Sequence, residues 1–124
     1  MHLIRYFLLL MTLFPVAGCH RSAVTAPLEK ADAQAALEKM LSAWKSGESV
    51  DHFLASKSHM RVMDFDWREG AKLQDYSLES APTVYGDSCN FQVKLTLVDP
   101  KGKRKSGRFV YIVASGPPVS ILRE

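Results

Sequence analysis

Asp64 and Asp66 flank Phe65, and His52 and His59 lie a short distance before them. No other part of the chain gathers as many groups suited to acid–base or metal chemistry. A spacing of two puts both carboxylates on one side of an extended segment, where mutual repulsion can raise one pKa and set a proton acceptor beside a donor. Asp64, Asp66 and His59 are therefore the candidate catalytic residues. The same stretch, DFDWREG, has a plainer reading that its composition favours: a solvated loop in which Asp66 caps a turn while Phe65 and Trp67 anchor the loop in the core. His52 and His59 lack the spacing of two ligands on one helix, so no metal site is expected. The chain contains no GxSxG elbow, phosphate loop or CxxC pair. No cofactor is expected, and the positive case for an enzyme is missing.

A second concentration is electrostatic. Lys101, Lys103, Arg104, Lys105 and Arg108 put five positive charges within eight residues, with Asp99 the nearby acid. Placed on a hairpin tip, such a run suits an anionic phospholipid surface or an acidic envelope protein, at about 1 kcal/mol per basic residue near the surface. It equally serves as a solvated tip whose charges oppose edge-to-edge aggregation. Nucleic acid is not expected as a partner, because no aromatic residue interleaves with the run and the formal net charge of +3 creates no general polyanion field.

The elements that must position these groups begin after an unusual N-terminus. Fourteen of the first 19 residues are apolar. Residues 1–5 carry one positive charge, residues 6–14 form an apolar run broken only by Thr12, and Pro15 ends it. This is the anatomy of a signal peptide, and the run is well short of the ~20 residues that span a bilayer. Val16-Ala17-Gly18-Cys19 follows at once and resembles the lipobox of bacterial lipoprotein precursors, with Val16 where leucine is commonest. The resemblance implies a diacylglycerol thioether on Cys19, cleavage between Gly18 and Cys19, and a lasting anchor from two or more acyl chains at ~0.8 kcal/mol per buried methylene. It also implies an exported protein held to the cell envelope, its domain in the periplasm or on the cell surface. His20 in place of aspartate favours the outer membrane where a cell has two.

On this reading residues 1–18 are the signal, residues 19–28 a lipidated cysteine and tether interrupted by Pro27, and residues 29–124 one domain. Cys89 then has no disulfide partner, and its place among apolar neighbours marks it as a buried, inert thiol. Ala33, Leu37, Met40, Leu41 and Trp44 recur on one face of a helix over residues 29–45, closed by Ser46-Gly47. A shorter helix starts near Ser49 and buries Val50, Phe53 and Leu54. Beyond Met60 the period changes to two. Phe65 to Gly70 reads as a turn or a single helical turn, and residues 73–80 as a strand with Tyr76 and Leu78 on one face. Cys89, Phe91, Val93, Leu95 and Leu97 alternate strictly with polar residues. A turn at residues 99–102 leads to a strand from Gly107, and Gly116-Pro117-Pro118 precedes a final one.

Two helices followed by three or four antiparallel strands predict an α+β domain whose curved sheet wraps the first helix. This layout, with the ending Ala43-Trp44-Lys45-Ser46-Gly47, resembles the small cone-shaped NTF2-like (cystatin-like) domains. The family's third helix is reduced here to residues 66–70. The resemblance implies either a small-molecule or enzymatic pocket inside the cone or, as expected for so short a version, a non-catalytic binding or assembly module. A cone filled by Leu37, Trp44 and Phe91 marks the module, and an open cavity of ~300 Å3 with an inward carboxylate marks the pocket. The sequence leaves the oligomeric state open, a homodimer included.

Overall fold

The apolar stripe at residues 33, 37, 40, 41 and 44 forms α1 (Lys30–Lys45), and all five side chains are buried. The computed structural model describes residues 29–56 and 60–124; the signal, Cys19, the tether and His59 lie outside the described residues. α1 ends where Gly47, at a φ of 93°, adopts the left-handed conformation that glycine takes without strain. The Gly47 N–H then bonds to the Trp44 carbonyl and the Glu48 N–H to that of Ala43, satisfying two of the helix's last acceptors. α2 (Val50–Ser56) starts with the Ser49 hydroxyl accepting from the His52 N–H, and it buries Val50 and Phe53.

Six strands follow, interrupted by one short helix: β1 (Met60–Met63), α3 (Phe65–Arg68), β2 (Lys72–Leu78), β3 (Thr83–Tyr85), β4 (Ser88–Val98), β5 (Arg104–Ala114) and β6 (Val119–Arg123). They form one mixed sheet in the order β1-β6-β5-β4-β2, with β3 paired to the start of β4. β1 runs parallel to β6 and every other pairing is antiparallel. The sheet curls into a half-barrel with the helices packed on it, an α+β architecture consistent with an NTF2-like cone.

The fold class is the one expected, while the strand list grows from three or four to six and the sheet is mixed rather than wholly antiparallel. The change of period after Met60 is β1, whose Met60 and Val62 alternate with Arg61 and Met63, while β3 has three residues, too few for alternation to declare itself. β5 also starts at Arg104 instead of Gly107, because β4 continues to Val98 and the turn closed by Asp99 and Lys103 brings Val98 opposite Arg104. Arg104, Lys105 and Arg108 are thus strand residues, and only Lys101 and Lys103 lie in the turn.

The concave face of the sheet is the core. Cys89, Phe91, Val93, Leu95 and Leu97 of β4 and Tyr111 and Val113 of β5 meet the stripe of α1 with essentially no exposure. Each large apolar side chain buried in this way contributes about 1.5–3 kcal/mol. Leu37, Trp44 and Phe91 are buried in the interior. The Trp44 and Trp67 rings stack at 5.7 Å, with Trp44 Nε1 donating to the Ala71 carbonyl at 2.7 Å and Trp67 Nε1 to that of Glu48 at 2.9 Å. These indoles fasten the end of α1 to α3, so α3 is held at one end of the sheet.

Candidate functional site

Met60, Val62 and Asp64 share a phase along β1, which carries the Asp64 carboxylate inward to a position only 2% exposed. A buried carboxylate needs partners for both oxygens. Asp64 is the N-cap of α3, and its Oδ1 accepts the Trp67 N–H at 3.2 Å. Its Oδ2 accepts the Tyr111 hydroxyl at 2.5 Å. Arg123 brings the compensating charge from β6: Nη1 stands 3.4 Å from Asp64 Oδ1, and Nη2 donates to Asp66 Oδ2 at 2.5 Å. Nη1 makes an electrostatic contact there without a hydrogen bond, since the atom is buried and has no aligned acceptor. The guanidinium also lies 4.6 Å from the Phe109 ring centroid, a cation–π contact. Lys105 Nζ completes the cluster, 3.4 Å from Asp66 Oδ1.

The expected pair of repelling carboxylates on an extended segment is not what forms. Asp64 caps a helix, Asp66 sits in its first turn, and a guanidinium lies against both. Burial pushes the Asp66 carboxyl up, but the hydrogen bond and charge of Arg123, with Lys105, outweigh it and hold the group below the usual carboxylate range. Burial, then the charge of Asp64 and its hydrogen bond, push the Tyr111 phenol above its ordinary value. Burial acts to lower the Arg123 guanidinium, yet Asp64, Asp66 and Tyr111 together raise it. All three shifts, of Asp66, Tyr111 and Arg123, lead away from neutrality. A general acid or base needs the opposite, a pKa close to the working pH.

Outside this cluster the candidate residues scatter. His52, on α2, pairs with Glu48 at 2.6 Å and is largely exposed; it has no bond to either aspartate. Arg108 pairs with Glu79 at 3.1 Å. Lys101, Lys103 and Arg104 are exposed and take part in no ion pair among the described residues. Phe65 is not the core anchor expected of it: it is 70% exposed, and Trp67 alone anchors α3. Cys89 is a free, fully buried thiol. Among the described residues no group of three or more His, Cys, Asp or Glu side chains could hold a metal ion, and no helix is long and apolar enough to cross a membrane.

A groove of about 410 Å3 opens beside the charged cluster, between β1, α3 and the end of β6. Met63, Phe65 and Leu122 supply its apolar wall, Arg68, Arg123 and Glu124 its polar one, and Asp64 lies behind. It sits on the rim of the half-barrel and leaves the filled interior untouched. Sequence reasoning did not name Tyr111 or Arg123 as partners of the aspartates. A signal was present: Arg123 falls in phase with the core residue Ile121, as Asp64 does with Val62, so two opposite charges occupy inward positions. Comparisons with protein families, with curated proteins and with solved structures give no match to this chain.

Proposed function

We propose that this chain is an exported, lipid-anchored protein of the bacterial cell envelope whose small NTF2-like domain is a non-catalytic binding or assembly module. The signal-like first 19 residues ending in Val16-Ala17-Gly18-Cys19 support the anchor. The observation that carries the non-catalytic reading is the state of Asp64 and Asp66, the best acid–base candidates. Both are tied to Arg123, and Asp64 is sealed by the Tyr111 hydroxyl and the Trp67 N–H. Such a cluster locks β1 and α3 to β5 and β6, which is a structural task. The alternative, a small-molecule site, draws on the rim groove bordered by Asp64, but its carboxylate oxygens are already engaged.

Cys19→Ser tests the anchor. Cells given a labelled fatty acid should mark the unaltered chain and not the variant, and the variant should leave the membrane fraction while keeping its fold. Equal labelling, or equal retention in the detergent phase, would remove the lipoprotein reading.

A further inference from the structure

Three of the exposed large apolar side chains stand together. Met63 is 57% exposed, Phe65 70% and Leu122 39%, and all three line the groove at one end of the sheet. Scattered single apolar residues are ordinary on a surface, whereas a cluster rimmed by charge marks a contact site. The basic turn lies at the same end. β5 runs on past Tyr111, its last ladder partner in β6, to Arg104, and α3 occupies the space beyond the end of β6. Lys105 on β5 reaches Asp66 of α3 at 3.4 Å, and a Cβ on Gly70 would lie 3.9 Å from Pro100 in the turn.

The charges at this end are unequal in availability. Asp64 and Asp66 are neutralised by Arg123 and Lys105, and Asp99 is turned onto its own loop, accepting from the Lys101 and Lys103 N–H groups. Glu69, Glu124 and Asp51, which shares a pocket with Arg68, remain as exposed carboxylates. Against them stand Arg68, Lys101, Lys103 and Arg104, none in an ion pair among the described residues. Apolar side chains ringed by free cations are what an anionic bilayer surface accepts: rings and thioethers enter the headgroup level while ammonium and guanidinium groups meet phosphate. A neutral apolar protein partner would leave those cations unanswered.

We infer that this end of the domain is a membrane-docking face, with Phe65, Met63 and Leu122 at the headgroup level and Lys101, Lys103, Arg104 and Arg68 on anionic phospholipid. The inference rests on the reading of Cys19 as lipidated, because the anchor supplies the effective concentration at which a weak face works. Residues 19–28 span at most ~35 Å, comparable with the breadth of a domain of this size, so the anchor and the face can engage one bilayer.

The test uses the full acylated chain in vesicles of phosphatidylcholine, with or without phosphatidylglycerol, and follows amide hydrogen exchange over residues 63–69 and 99–103. Both stretches should exchange more slowly only when phosphatidylglycerol is present. Each cation neutralised in Lys103→Gln or Arg104→Gln should weaken docking roughly fivefold. Phe65→Ser with Met63→Ser should weaken it roughly tenfold, and these exposed positions leave the core intact. Exchange that ignores phosphatidylglycerol, or protection that survives both sets of variants, overturns the docking face. Protection that grows with protein concentration in detergent alone assigns the groove to a second copy of the chain and also overturns it. The mass of the N-terminal peptide reads the anchor separately. If Cys19 carries no lipid, the same exchange measurement on the chain coupled through Cys19 to a maleimide-bearing phospholipid restores the effective concentration and still decides the face.

Discussion

The Tyr111 hydroxyl donates a 2.5 Å hydrogen bond to Oδ2 of Asp64 across 47 positions of sequence, with both groups buried. The bond joins the C-terminal end of β1 to the middle of β5, two strands that β6 separates in the sheet. It spans β6 on the concave side, and Arg123 of β6 lies within the same cluster.

Removing either partner should therefore cost stability in a fixed order. Tyr111→Phe leaves one buried oxygen without its donor, a loss of about 1–3 kcal/mol. Asp64→Ala removes the α3 cap, leaves the Tyr111 hydroxyl without its acceptor and takes from Arg123 one of its two carboxylates, so about 2–4 kcal/mol is expected. Urea midpoints at neutral pH measure both. If Asp64→Ala proves the milder change, the cluster does not hold the fold in the way described.

Acid should weaken the domain through Asp66. Its carboxyl titrates below the ordinary value of 3.8 in the folded state, so near and below that pH the unfolded chain binds more protons and stability rises with pH. The contribution is complete above pH ~5 and disappears as pH falls through the folded value. Asp66→Asn should flatten the acid limb of a midpoint-against-pH curve, and an unchanged limb would place its cause elsewhere. Tyr111 acts at the other extreme: its phenol is raised above 10.0, so its contribution persists up to that pH and is lost beyond it. Tyr111→Phe should remove that part of the alkaline decline.

Cys89 should behave as a reporter of global opening. The thiol is fully buried on the inner face of β4, opposite Val113. A thiol reagent should modify it at the rate of unfolding and no faster, with reaction accelerating across the urea transition. Rapid modification in the absence of denaturant would contradict its place in the core.

The long elements were legible because their periodicity repeats enough times to be read. α1 shows five buried positions in one stripe and β4 five in strict alternation, and both fold as read. β1 has four residues and a parallel partner that begins at Val119, a pairing no local pattern can express. Phe65 shows the opposite failure: an aromatic beside Trp67 is expected to be buried with it, yet the capping geometry of Asp64 turns only Trp67 inward. The aspartates were legible as a cluster, but their meaning depended on Arg123, 57 positions beyond Asp66. Charged residues in phase with a strand's buried face deserve to be matched with one another before either is assigned chemistry.

The place of β6 between β1 and β5 also sets an order of events in time. Neither β1 nor the Asp64 carboxylate has its β6 partner, the strand itself or its Arg123 guanidinium, until β6 has been synthesised. A ribosome-bound chain lacking β6 holds an unpaired edge and an uncompensated buried charge, so the native state cannot lock early. Under the export proposed above, that delay keeps the polypeptide loose enough to be threaded through a membrane before it folds.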